Sequence, residues 1–163
     1  MLNRKTAPRR RRQGALVLEG AVVYPAMFIL LFGLIVGGIG VAQYQQVACQ
    51  AREASRYAAV KGTKWAAATG KASPTAAQIA SAAVLPFAAG MDPSQLTVQV
   101  QWIDGTTGNA VDWDNSSKSP TTQTSSGTVA NQVRVTVSYN WVPAWGFVGP
   151  ISLSSVSQMA MEF

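Results

Sequence analysis

The chain has 163 residues, 12% of them charged and 48% hydrophobic, a length that suits one anchored domain and is too short for two sizeable cores. Six of the 13 basic residues (Arg4, Lys5, Arg9, Arg10, Arg11 and Arg12) precede Gly14, and the other seven are balanced by seven acids, so the net charge of +6 belongs to a tail. With no histidine and only Cys49, the chain lacks the commonest general base and any zinc site built from paired cysteines, which points away from an enzyme and from a bound metal or other cofactor.

The first segment, residues 1–14, is a basic leader. Nothing downstream supplies a basic face, so the leader reads as a membrane-topology signal and no nucleic-acid partner is expected. From residue 20 to 42 there is no charge, and as a helix these 23 residues cover about 35 Å. A hydrocarbon core needs about 30 Å. The arginine cluster directly before this run predicts a cytoplasmic N-terminus and an extracytoplasmic remainder. A cleaved secretory signal is the competing reading, with Gly40-Val41-Ala42 resembling a small-residue cleavage site. Its hydrophobic region would be about 7–15 residues long, so a retained anchor in contact with membrane lipid is preferred.

Within the run, Gly33 and Gly37 have the G-x-x-x-G spacing that lets membrane helices approach closely, although glycine is also simply common in such helices. Pro25 removes one backbone donor and should loosen the helix locally. Glu19 stands at the start of the run, five residues after Gly14. A carboxylate at a membrane-helix end is costly and calls for a partner or a task, unless it is solvated at the headgroup level.

A basic leader ending in Gly14, followed by Ala15-Leu16-Val17-Leu18-Glu19, resembles the processing signal of type IV prepilins. The resemblance implies that a membrane-embedded prepilin peptidase cuts between Gly14 and Ala15. It also implies that Glu19 faces the new N-terminal amine of a neighbouring subunit, the pairing offsetting the cost of burying both charges. Glu19-Gly20-Ala21-Val22-Val23-Tyr24-Pro25 is similar to the glutamate, five apolar positions and proline of TadE-like minor pseudopilins of tight adherence (Flp) pilus systems. Members of that family carry an aromatic residue directly after the glutamate, where this chain has Gly20. The family implies partners in other pilin or pseudopilin subunits and an inner-membrane assembly platform. It implies assembly roles for Glu19 and Pro25, and a bacterial inner-membrane location with entry into a surface pilus.

Beyond the apolar run the helical pattern continues, through Tyr44, Val47, Ala48, Ala51, Ala54, Ser55 and Ala58, with Gln45, Arg52 and Arg56 on another face. Helix from residue 15 to 60 would be about 69 Å long. Its alanine seam suits close contact, either with the protein's own sheet or with neighbouring subunits. Cys49 lies on this helix, as a buried free thiol or as the donor of an intersubunit disulfide.

Residues 61–163 read as an extracytoplasmic α+β head. Lys61-Gly62 opens a break, and residues 74–89 form a short helix between Pro74 and Gly90, with Ile79, Ala83, Pro86 and Phe87 as a core stripe. The period then changes to two. Leu96, Val98, Val100 and Trp102 make one half-buried strand, and Val133, Val135, Val137, Tyr139 and Trp141 a second. A weaker third strand covers residues 151–163, with Ile151, Leu153, Met159, Met161 and Phe163 on one parity. The expectation is a roughly three-stranded antiparallel sheet backed by a helix.

Between the first two strands, residues 104–128 read as a long polar loop, functional or disordered. Its Asp112-Trp113-Asp114-Asn115 lacks the glycine and distal glutamate of a calcium loop and reads as a solvated turn. Trp145 and Phe147, in a loop bounded by proline and glycine, are either an exposed contact patch or folded onto the sheet. The function that collects most of these features is a pilin-like subunit. The alternative is an uncleaved, membrane-anchored binding module facing away from the cytoplasm.

Overall fold

The computed structural model describes residues 10–143 and 149–162, with side chains from residue 17 onward. Its first element is helix α1, Arg10–Ala59, which runs through Pro25 without a break. Pro25 has no N–H to offer the Ala21 carbonyl, but one missing bond in a 50-residue helix leaves the ladder intact on either side. The chain divides into two compact units, Met1–Ile39 and Gly40–Phe163.

In the first unit, α1 is exposed on all sides, including Leu18, Val22, Phe28, Ile29, Leu30 and Leu34. It is long and apolar enough to cross a membrane.

The second unit is an α+β head built around residues 40–59 of α1. Here the buried side chains are Val47, Gln50, Ala51, Ala54, Ser55, Ala58 and Ala59, a stripe at helical spacing. Small side chains let the helix sit close to the sheet: Ser55 Oγ and Ser157 Oγ share a hydrogen bond at 2.8 Å, and Glu162 N–H donates to the Ala59 carbonyl. Tyr44, on the same helical pattern, is half exposed. Cys49 is exposed, contrary to the buried-thiol expectation, because it falls about 160–200° around the helix from Val47 and Ala51.

The main sheet has four antiparallel strands in the order β2-β1-β5-β6. The three strands legible by period are β1 (Leu96–Ile103), β5 (Gln132–Trp141) and β6 (Ile151–Ala160). Val135 sits between Val100 and Ser157 in register, and Trp141 faces Ile151. On the helix side, Val100, Trp102, Val133, Val135, Val137, Tyr139 and Trp141 are buried. The other face is polar, with Arg134 donating to Gln158 and Ser138 bonded to Ser154. β6 ends the sheet, with Leu153 and Met159 turned inward and Val156 outward and exposed.

Residues 104–128 are ordered, not a bare loop. β2 (Ala110–Asp112) pairs with the end of β1, and β3 (Thr121–Thr124) with β4 (Gly127–Ala130) forms a separate hairpin. Asn131 pins this region from inside: its Oδ1 accepts from Gly105 N–H and Thr122 Oγ–H, and its Nδ2 donates to the Ser119 carbonyl. Gly105 is required there, because a Cβ would collide with the Ala130 carbonyl oxygen.

Before the sheet, α2 (Thr63–Thr69) ends on Gly70 in the left-handed conformation. α3 (Ala76–Ile79) starts with a capping box between Thr75 and Gln78 and continues as a π-turn and a 3₁₀ turn through Phe87. Ile79, Ala83 and Val84 are buried as a core stripe, but Pro86 and Phe87 are exposed. The π-turn adds a residue to the helical repeat and rotates the last turn away from the core.

Candidate functional site

The residues singled out for processing and assembly all lie on α1. Gly14 and Ala15 are consecutive helical residues whose side chains, like residues 1–9, fall outside the described set. One turn further on, Glu19 projects from the exposed surface and has no partner among the described residues. Leu18 and Val22 flank it, both fully lipid-like and exposed. A carboxylate without a partner among the described residues therefore stands at the beginning of an apolar surface, the placement in which a counter-charge counts most.

Gly20 has a local explanation. Tyr24 lies four residues later and its ring turns back over Gly20, as long side chains on a helix do. A Cβ on Gly20 would lie 2.8 Å from Tyr24 Cε2. Val17, Gly20, Ala21 and Tyr24 together line a shallow concavity about 100–160° around α1 from Glu19, away from the carboxylate. The tyrosine and glycine at i and i+4 were both in the sequence, but their stacking was not read from it.

Gly33 and Gly37 lie on one side of α1, and a Cβ on either would meet nothing within 4 Å. The close approach these glycines permit is not used by any of the described residues. Gly40 behaves in the opposite way: its missing Cβ leaves room for Trp141, whose Cζ3 would be 2.7 Å away. The assembly candidates Glu19 and Pro25 and the glycine pair are strung along one helix and form no enclosed site.

In the head, the Asp112–Asn115 segment is structural. Asp112 accepts from Asp114 N–H, and Asp114 Oδ1 accepts from Ala76 N–H at the start of α3. Trp113, expected in a solvated turn, is fully buried, with Nε1 donating to the Pro74 carbonyl at 2.7 Å. Both carboxylates are engaged as backbone caps. Among the described residues no group of three His, Cys, Asp or Glu side chains is placed to hold a metal ion. Trp145 and Phe147 lie outside the described residues.

The seam between α1 and the rest of the head is partly polar. Gln46 Nε2 donates to the Phe87 and Ala89 carbonyls, closing the C-terminal end of the 3₁₀ turn. Gln50, fully buried, donates to Met91 Sδ, and its Oε1 is left without a partner, as is that of Gln43. On the far side of the head, Lys61 Nζ lies 3.7 Å above the Tyr57 ring and 5.5 Å from that of Trp65.

Compared with protein-family models, with curated proteins and with solved structures, the chain matches none.

Proposed function

We propose that the chain is a pilin-like structural subunit of the TadE-like kind, inserted in a bacterial inner membrane and taking part in assembly of a tight adherence pilus or secretion apparatus. The observation that carries this reading is the first stretch of α1. Its apolar side chains are exposed around the whole circumference, and among the described residues Glu19 at its start has no partner and nothing packs on Gly33 or Gly37. Such a surface is stable only in lipid or against other apolar helices. In this reading the leader is removed after Gly14 by a prepilin peptidase, and the Ala15 amine of one subunit pairs with Glu19 of the next. Gly33 and Gly37 admit the neighbouring helix, and the head makes the outward contacts. No catalysis and no cofactor are needed.

The test is the intact mass and N-terminal sequence of the chain recovered from its native membrane. A chain that starts at Ala15 supports the reading, and a methylated amine does so strongly. A start at Met1 favours an uncleaved anchored binding module, and a start at Gln43 a secreted protein. In the same system Gly14→Leu is expected to block processing, and Glu19→Ala to leave expression intact while abolishing incorporation into filaments. Incorporation of Glu19→Ala at the wild-type level would remove the assembly role from this carboxylate.

A further inference from the structure

The end of the head at which α1 enters carries exposed apolar side chains over about its first 9 Å. β5 and β6 mark that end: they pair Trp141 with Ile151 at this end and Gln132 with Ala160 at the other. Along α1, Trp141 packs on Gly40, Gln46 bonds the Phe87 carbonyl, Ser55 meets Ser157, and Ala59 meets Glu162. At about 1.5 Å of rise per residue, Phe87 stands roughly 9 Å beyond Trp141 and the Ser55 contact more than twice as far. Around this end Val41 is 59% exposed, Tyr44 49%, Phe87 48%, Val142 60% and Ile151 39%.

The same end is poor in charge, its nearest described carboxylate being the exposed Asp92, whose N–H donates to Tyr139 Oη. Residues 40–51, 85–91, 139–143 and 149–155 contain no Asp, Glu, Lys or Arg, and the first charges beyond them are Arg52 and Asp92. A water-facing surface of this size would ordinarily mix charges among its apolar groups.

We propose that this end of the head is a collar seated in the headgroup layer of the same bilayer that α1 enters, with phospholipid as its ligand. The inference rests on the membrane-anchor reading of α1 and deepens it. Continuity argues for lipid as the occupant. Ala42, the last residue of the uncharged apolar run, lies between Gly40 and Gln46, at this end of the head, so the chain leaves the hydrocarbon through the collar. The dimensions agree. A core of about 30 Å takes about 20 helical residues, roughly 20–39, and one interfacial layer of about 5–7 Å takes the next four or five. That layer holds Gly40 with Trp141 against it, Val41 and Tyr44. Tryptophan and tyrosine are the side chains most favoured there, with an apolar body and a polar tip.

The test uses the full chain with Cys49→Ser as background and one environment-sensitive nitrobenzoxadiazole label at a time, on Ile29→Cys, Phe87→Cys, Val142→Cys or Thr106→Cys. Each is reconstituted in phosphatidylcholine–phosphatidylglycerol vesicles containing lipids that carry a nitroxide either on the headgroup or in mid-chain. The mid-chain quencher is expected to act on Ile29, and the headgroup quencher to remove more than half of the emission at Val142 and less at Phe87, which stands about 9 Å further out. Thr106, at the opposite end of the head, should keep its emission with both. Quenching at Ile29 without quenching at Val142 overturns the collar and leaves the anchor standing. An unquenched Ile29 overturns both. Emission at Val142 that responds to protein density and not to nitroxide lipid overturns the collar in favour of a second copy of the chain.

Discussion

The two stretches of α1, residues 17–39 and 40–59, obey opposite rules. The first is the more hydrophobic and is exposed throughout: Leu18, Val22, Ile29, Leu30 and Leu34 are each about three-quarters open. The second is poorer in apolar mass, and its Ala51, Ala54 and Ala58 are fully buried. Hydrophobicity therefore does not decide which part of this helix meets its own protein. Shape does. Alanine and serine along one side let Ser55 touch Ser157 and let Gly40 accept Trp141, whereas bulky side chains on every side of residues 17–39 offer no single face to a sheet. Left in water, the first stretch would carry a penalty of about 25 cal/mol for each Å² of apolar surface, which is why its environment must come from outside the chain.

The sharpest way to break this comparison is to delete a large side chain from each region. Trp113→Ala is expected to lower the stability of the head by about 3–5 kcal/mol, because the indole is fully buried and its Nε1 bond to the Pro74 carbonyl goes with it. Leu30→Ala removes a side chain that touches no core, and the head should then unfold at the wild-type denaturant concentration. Denaturation of both full-length variants in lipid nanodiscs, followed by tryptophan fluorescence or circular dichroism, reads the two values side by side. Equal loss in the two variants would mean that the apolar stretch contributes to the head's core.

A smaller effect separates the glycines. Gly40→Val would force Trp141 aside, and overpacking of this kind costs about 1–3 kcal/mol. Gly33→Val meets open space and should leave the head's unfolding unchanged. In a cross-linking assay the order should reverse, with Gly33→Val reducing association between chains and Gly40→Val leaving it near wild type. A Gly33 substitution that destabilises the head as much as Gly40→Val would erase the distinction between the two stretches.

The regular parts of this fold were legible because burial on one side imposes a period. β1 and β5 follow their alternation residue by residue, and the helical stripe from Val47 to Ala58 is buried except at Ala48, which is half-buried at its edge. β6 was weaker because Ser155 and Ser157 occupy inward positions, chosen for closeness to α1 and not for hydrophobicity. β2, β3 and β4 were invisible for a simpler reason: they are three or four residues long, too short for an alternation to mark them. Trp113 was misread because its neighbours Asp112 and Asp114 suggest water, yet each carboxylate caps a backbone N–H while the indole points inward. Among the assembly candidates, Glu19 was singled out by its charge beside an apolar run and Gly33 and Gly37 by their spacing. The stacking of Tyr24 over Gly20, by contrast, depends on a rotamer that composition does not announce.

The smallest expected effect concerns the first charge above the apolar end of the head. Asp92 Oδ1 accepts from Ser94 N–H at 2.9 Å and from Ser94 Oγ–H at 2.8 Å, and these bonds, the backbone one foremost, hold its carboxyl below the ordinary aspartate range. A folded-state pKa below the unfolded one means that the contribution is complete above the unfolded value, about 3.9, and disappears as the pH falls through the lower folded value. Asp92 is fully exposed, so the contribution is small and screened by salt. Asp92→Asn keeps an acceptor for the Ser94 N–H but removes the charge. The melting temperature of the wild type should exceed that of the variant slightly at neutral pH, and the gap should close below about pH 4. A gap that stays constant through acid would assign the effect to hydrogen-bond geometry alone. A gap that persists in strong salt would show that the carboxylate is less open to water than its place at the rim of the head indicates.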